Sequence, residues 1–178
     1  MGNVGLWDRW YASGLDEPQP YGDTVTYELG AAWLADCAMV EDWGCGKGWL
    51  RTLVPPERYR GVDGSQTPFA DVVADLVDYR SRVPGIFIRH VLEHNRDWAA
   101  ILDNALASAQ QRLFVALFTP LVEHTGPIAY ADDPGVPDIA FRLGDLTGRI
   151  EAAGFEWTAQ TLVTKTQYKQ ETVLRCQR

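Results

Sequence analysis

The chain has little that would attract nucleic acid: Lys and Arg number 16 against 24 Asp and Glu, a net charge of −8 at pH 7. A polyanion-binding surface needs a basic face, so DNA and RNA are disfavoured as partners. Hydrophobic runs are short, and none approaches the ~20 apolar residues that cross a bilayer. Met1-Gly2-Asn3 starts no secretory leader, so no membrane partner is expected. Cysteine is scarce. Cys37, Cys45 and Cys176 form no C-x-x-C pair and cannot all be bridged, which points to a reducing, cytoplasmic setting. Histidine occurs only at 90, 94 and 124, leaving few side chains that exchange protons near neutral pH. No G-x-x-x-x-G-K-[ST] pattern occurs, which excludes a P-loop. Internal repeats, low-complexity tracts and interdomain linkers are absent too.

What is present begins with Val40-Glu41-Asp42-Trp43-Gly44-Cys45-Gly46-Lys47-Gly48. It reads as a buried strand running into a glycine-rich turn that opens a helix, where backbone approaches a ligand without an intervening Cβ. Asp63 ends the next apolar run, close to the ~20 residues beyond the first glycine at which a carboxylate takes ribose hydroxyls in nucleoside-binding α/β units. A dinucleotide turn would want glycine as the third of its set; here Trp49 stands there. A nucleoside cofactor lacking a pyrophosphate is the expectation.

The 178 residues suit one domain. An N-terminal arm places Trp7, Trp10 and Tyr11 at helical spacing, and a helix is predicted over 24–37. Strands are predicted over 39–43, 59–63, 71–74, 85–89 and 113–118, with a short helix stopped at Pro55-Pro56 and another capped by Asn95. Residues 120–138 read as a long irregular loop. A helix ending at Gly154 and two strands, 155–164 and 171–176, close the chain. This alternation predicts an α/β fold with a mostly parallel sheet covered by helices on both faces. Ligands then bind at the carboxyl ends of the strands, where Asp63, Asp75, His90 and the 120–138 loop should converge.

These motifs resemble those of the class I S-adenosylmethionine-dependent methyltransferases. The glycine turn is similar to that family's first motif, Gly61-Val62-Asp63-Gly64-Ser65 to its second, and Val73-Ala74-Asp75-Leu76 to its third. Phe87-Ile88-Arg89-His90-Val91-Leu92-Glu93-His94 resembles its fourth strand and the "LEH" that follows. The resemblance implies a Rossmann-like, seven-stranded sheet whose last strand runs antiparallel. It implies one methyltransferase domain over 1–178: an N-terminal arm and helix (1–37), a cofactor-binding core (38–120), an acceptor-side loop (120–141), and a closing helix and strand pair (142–178). S-adenosyl-L-methionine is the implied cofactor. Gly44, Cys45 and Gly46 would line its methionine and ribose part, and Asp63 would accept both ribose hydroxyls. Asp75 would bind the adenine amino group, Gly64 and Leu76 would sandwich the ring, and Arg89 and His90 would stand beside the sulfonium. Two departures accompany it: the helix between strands three and four is nearly absent, and the cover over the acceptor is minimal.

For a hydroxyl acceptor a general base is needed, and His90, His94 and His124 all follow strand four or five. His90 is the first choice. His94 has the competing role of bracing the start of the next helix, and His124 that of an idle loop residue. Asp132, Asp133 and Asp138 could recognise a polar acceptor or form a solvated rim. Trp7, Trp10 and Tyr11 could close as a lid or pack as core. His90-Val91-Leu92-Glu93-His94 also matches the H-x-x-E-H pattern of inverted zinc peptidases, an alternative of another class. It is similar as well to the "E-x-x-E-H" of metal-assisted quinone O-methyltransferases, with histidine in the first slot; no metal is assigned. Neither Asn/Asp-Pro-Pro-Tyr/Phe nor Pro-Cys follows strand four, which disfavours the DNA-methylating branches. The expected acceptor is a hydroxyl of a small molecule or saccharide, with a protein or peptide acceptor as the alternative.

Overall fold

The computed structural model describes Trp7, Asp8, Tyr11 and residues 16–130 and 136–178. Trp10, Asp132 and Asp133 lie outside the described residues. The elements among the described residues include α1 (Val25–Trp33), β1 (Val40–Trp43), β2 (Tyr59–Asp63), β3 (Val72–Val73), β4 (Val83–Arg89), α2 (Trp98–Ser108), β5 (Ala109–Leu117), β6 (Gly126–Tyr130), β7 (Pro137–Ala140), α3 (Leu143–Ala152), β8 (Glu156–Val163) and β9 (Gln170–Gln177). Seven of the strands form one sheet in the order β3-β2-β1-β4-β5-β9-β8. β1 pairs in parallel with both β2 and β4, and β4 with β5. β9 inserts antiparallel between β5 and β8, so the last strand reverses as expected.

Strand alternation sorts the side chains onto two faces. Val40, Phe87, Phe114, Ala116 and Val173 pack with Leu34 of the segment that follows α1. Trp43, Ile86, Ile88, Val115 and Leu174 face the opposite way, against Ile101 and Leu102 of α2 and Leu146 of α3. Both faces of the central strands β1 and β4 are therefore dry, as parallel strands inside a sheet require, while the edge strands β3 and β8 stay largely exposed. The reversal of β9 has a local consequence: its first residues lie at the carboxyl ends of β4 and β5, with Thr172 opposite Leu117.

Three local expectations are corrected and one is met. After the glycine turn there is only a 3₁₀ turn, Trp49–Thr52. Gly48 at φ +70° precedes it and Pro55-Pro56 follow closely, leaving no room for an α-helix. Asn95 caps no helix; its Nδ2 donates to the Val91 carbonyl at 2.6 Å, and α2 starts three residues later. As expected, no helix forms between β3 and β4; Asn104 of α2 ties the crossing chain by donating to the Leu76 and Val77 carbonyls. The stretch predicted as irregular contains the β6–β7 hairpin, whose second strand packs on the Leu92–His94 turn.

Candidate active site

A cavity of ≈ 370 Å³ opens at the carboxyl ends of the strands. One end is lined by Gly44, Cys45, Asp63, Gly64, Asp75 and Leu76, the other by His90, His94, Phe118, Asp138 and Gln167. From β2 to β5 are three inter-strand steps, roughly 14 Å at the usual spacing. That is a length suited to an elongated ligand lying across the sheet.

The glycine turn is built inward. Gly44 N–H and Cys45 N–H donate to the Val62 carbonyl at 2.7 and 3.2 Å, and Gly48 N–H to the Cys45 carbonyl at 2.8 Å. Gly46 N–H donates to Asp63 Oδ2 at 2.9 Å. These amides are thus satisfied within the chain and are not presented to a phosphate, unlike those of a phosphate-cradling turn. Gly44 and Gly46 sit at φ +75° and +49°, where L side chains are strained. A Cβ on Gly44 would overlap Val91 Cγ2, and one on Gly46 would press Tyr11 Oη at 2.9 Å.

Asp63 receives Ser65 N–H on Oδ1 at 2.9 Å besides Gly46 on Oδ2. Each oxygen keeps a second lone pair for a ligand hydroxyl. Burial pushes its carboxyl above the ordinary value, against the pull of those backbone donors. Asp75, half-buried, accepts Val77 N–H on Oδ1 at 3.0 Å. Asp42 also lines the cavity and was not singled out in the sequence; it accepts from Tyr59 Oη at 3.0 Å. Burial raises its carboxyl to about 7. The available signal was an acid in a wholly buried strand directly before the turn. Cys45 is held as a neutral thiol by burial and by Asp42 and Asp63, so it carries no nucleophilic chemistry.

Arg89 and His90 end β4. Arg89 points to the α1 face, donating from Nε to Thr26 Oγ1 at 2.8 Å and from Nη2 to the Tyr21 carbonyl at 2.9 Å. Its Nη2 also pairs with Glu171 Oε1 at 2.9 Å. His90 adopts φ +56°, unusual for a non-glycine residue, and its Nε2 lies 2.7 Å from the same Glu171 oxygen. Burial first, then the Arg89 charge, pushes the imidazole down to about 4, opposed by Glu171. Glu171 escaped sequence reading because its partner lies 81 residues away. His94 Nδ1 meets the Pro137 carbonyl at 3.2 Å and Asp138 Oδ1 at 3.5 Å, while Asp138 accepts from Tyr168 Oη at 2.9 Å. Phe118 stands between the two imidazoles, with ring centroids 4.9 Å from His90 and 5.3 Å from His94. Trp7 and Tyr11 line the cavity, Trp7 tilted against His94 at 5.6 Å. His124, expected with the other histidines, is exposed and does not line the cavity.

The peptidase pattern does not assemble. His90 is a left-handed strand-end residue, and Leu92–His94 is a 3₁₀ turn rather than part of one helix. Glu93 turns into the protein, accepts Phe118 N–H at 2.7 Å, and is raised to about 8 by burial. Among the described residues no three His, Cys, Asp or Glu are grouped to hold a metal ion. No described helix is long and apolar enough to cross a membrane.

No protein-family model matches the chain, and no curated protein matches it. Solved structures do. It is similar to magnesium protoporphyrin IX methyltransferase from Synechocystis PCC 6803 with bound SAH, at TM-score 0.67 and 20% identity over 99% of this chain and 95% of that one. It is similar to the 1,6-didemethyltoxoflavin-N1-methyltransferase of Burkholderia thailandensis, at 0.63 and 18% over 86% and 76%. The N-terminal domain of EvdMO1 with SAH bound gives 0.60 and 12% over 88% and 82%. These likenesses are of fold.

Proposed function

We propose that this chain, whose fold is that of the S-adenosylmethionine-dependent methyltransferases, binds S-adenosyl-L-methionine and methylates a hydroxyl of a small molecule or saccharide. The observation that carries the reading is the pairing of Asp63 with an inward-turned glycine turn on the wall of a single elongated cavity. The residues fit the cofactor. Asp63 keeps lone pairs for two ribose hydroxyls, and Gly64 and Leu76 flank the place of the adenine ring. Asp75 stands at the same end for the adenine amino group. Gly44 leaves the floor clear of a side chain, Cys45 adds only a small neutral thiol, and Arg89 and His90 stand at the sulfonium end, whereas Gly46 lies under Tyr11 and Tyr21 and acts through its N–H on Asp63. Three free, buried cysteines suit a reducing compartment.

When bound, the donor supplies a methyl on a cationic sulfur, and transfer forms an oxygen–carbon bond as the carbon–sulfur bond breaks. The protein's part is alignment, which lowers such barriers by about 7–11 kcal/mol where geometry is right. It also accepts the hydroxyl proton. His90 is assigned that task, for a gain of about 10²–10⁴ in rate; His94, held by Pro137 and Asp138, orients the acceptor. The space around Phe118, walled by β7, Gln167 and Trp7, suits a small acceptor. His124 has no part.

The test is incubation of the protein with donor labelled in the methyl group and an unfractionated extract of the source cells, read by mass spectrometry. A labelled small product with equimolar S-adenosylhomocysteine is expected. Label appearing only in protein would contradict the acceptor assignment, and no label transferred anywhere would contradict the activity.

A further inference from the structure

We propose that Glu171, on the closing strand β9, is a positioning residue that fixes the proton of His90 on Nε2 and so presents Nδ1 as the base toward the acceptor hydroxyl. This rests on the methyl-transfer reading above and adds a residue to it. One oxygen of Glu171 accepts from Thr26 Oγ1 at 2.8 Å, pairs with Arg89 Nη2 at 2.9 Å and lies 2.7 Å from His90 Nε2. A carboxylate oxygen crowded in this way can only accept. The hydroxyl of Thr26 is directed to Glu171 because it already accepts Arg89 Nε. His90 Nε2 must then carry hydrogen, and in the neutral ring Nδ1 holds the lone pair.

The topology explains why a residue so far along the chain does this. β9 runs antiparallel, so its first residues reach the carboxyl ends of β4 and β5, where a parallel strand would bring its last. Residues 171 and 173 share the α1 face, and Val173 packs there. Glu171 is therefore delivered under the turn after β4, with its side chain fully buried. His90 holds a left-handed backbone there, a conformation that persists only where surroundings enforce it and that gathers at functional sites. Thr26 and Arg89 brace the carboxylate from α1 and β4.

In the step itself, the acceptor hydroxyl gives its proton to His90 Nδ1 as its oxygen bonds to the methyl carbon. The imidazolium that develops is stabilised by Glu171 through Nε2–H, the role an orienting carboxylate plays beside a histidine base. The charged and titratable groups around His90 are Glu171 from β9, Arg89 from β4, and Glu93 and His94 from the following turn, with Asp138 of β7 behind His94.

The experiment is nitrogen-15 imidazole NMR of the full chain at neutral pH, with Glu171→Gln beside the wild type. The wild type is expected to show His90 as the Nε2–H tautomer, and the variant to lose that preference. With S-adenosylhomocysteine still raising its melting temperature, Glu171→Gln should turn over the extract acceptor about 10²-fold more slowly. The acid limb of its pH–rate profile should move down by about one unit, since an opposite charge beside the imidazole is gone. A purely structural carboxylate would change melting temperature and leave the limb in place. The Nδ1–H tautomer in the wild type would overturn the proposal without recourse to the variant, as would a folded Glu171→Gln enzyme with unaltered rate and limb. Failure of S-adenosylhomocysteine to stabilise the wild type would instead remove the methyl-transfer reading on which the proposal rests.

Discussion

Asp63 commits one lone pair of each oxygen to the chain, to Gly46 and Ser65, and its remaining pairs define what it can bind. Hydrogen bonds to a charged acceptor contribute about 1.5–3 kcal/mol. Asp63→Ala should therefore weaken S-adenosylhomocysteine binding at least about tenfold by calorimetry, while the chain stays folded; unchanged affinity would remove its role. Buried titratable groups also give the unliganded protein a pH dependence. Asp42 and Glu93 have folded values near about 7 and about 8, above the usual carboxylate range of about 4. Their contribution is complete below that range and is lost as pH rises through the folded values. His90, down to about 4, contributes above its ordinary value of about 6.5 and loses that as pH falls. Between about pH 6.5 and 8.5 only the carboxyl effect remains, so the melting temperature should fall across that window. Glu93→Gln, neutral at every pH, should flatten the fall; a wild-type melting temperature that does not decline would contradict it. Local motifs pointed to the residues proposed for the cofactor, because turn, carboxylate and strand lie within a few dozen residues. Glu171 and Asp138 were harder to place, since their work depends on partners brought near by strand reversal and a hairpin.

At the scale of elements, α1 lies close on β4 because Gly30 has no side chain. A Cβ there would overlap Phe87 Cε2 and stand 2.6 Å from Cδ2. Alanine in a helix is favoured over glycine by about 0.8–1 kcal/mol, but overpacking a close-packed core costs about 1–3 kcal/mol. The Phe87 ring is stacked on Phe114 with centroids 5.4 Å apart and has nowhere to yield, so the cost prevails. Gly30→Ala should destabilise by about 1–2 kcal/mol in denaturant unfolding; a stabilised variant would show that the helix stands further off. The long apolar strands were legible, and β2 runs over the predicted 59–63. Where turn chemistry competes with pattern, reading failed. The helix after Gly48 was cut to a 3₁₀ turn by the flanking backbone, Asn95 bonded backward to Val91 instead of capping, and the β6–β7 hairpin hid in a stretch of proline and aspartate. No periodicity distinguishes such short strands from loop.

For the whole molecule, the proposed reading lays the ligands along one cavity in sheet order: adenosine over β3 and β2, sulfur over β1 and β4, acceptor over β5 and β9. Two carboxylates at one end and two carboxylate-paired imidazoles at the other make that arrangement directional. The most direct test is a crystal structure of the protein grown with S-adenosylhomocysteine. The account predicts the adenine between Gly64 and Leu76, both ribose hydroxyls on Asp63, and the thioether sulfur facing His90. Nucleoside density elsewhere, or an empty cavity with Asp63 and Asp75 directed away from it, would contradict the account.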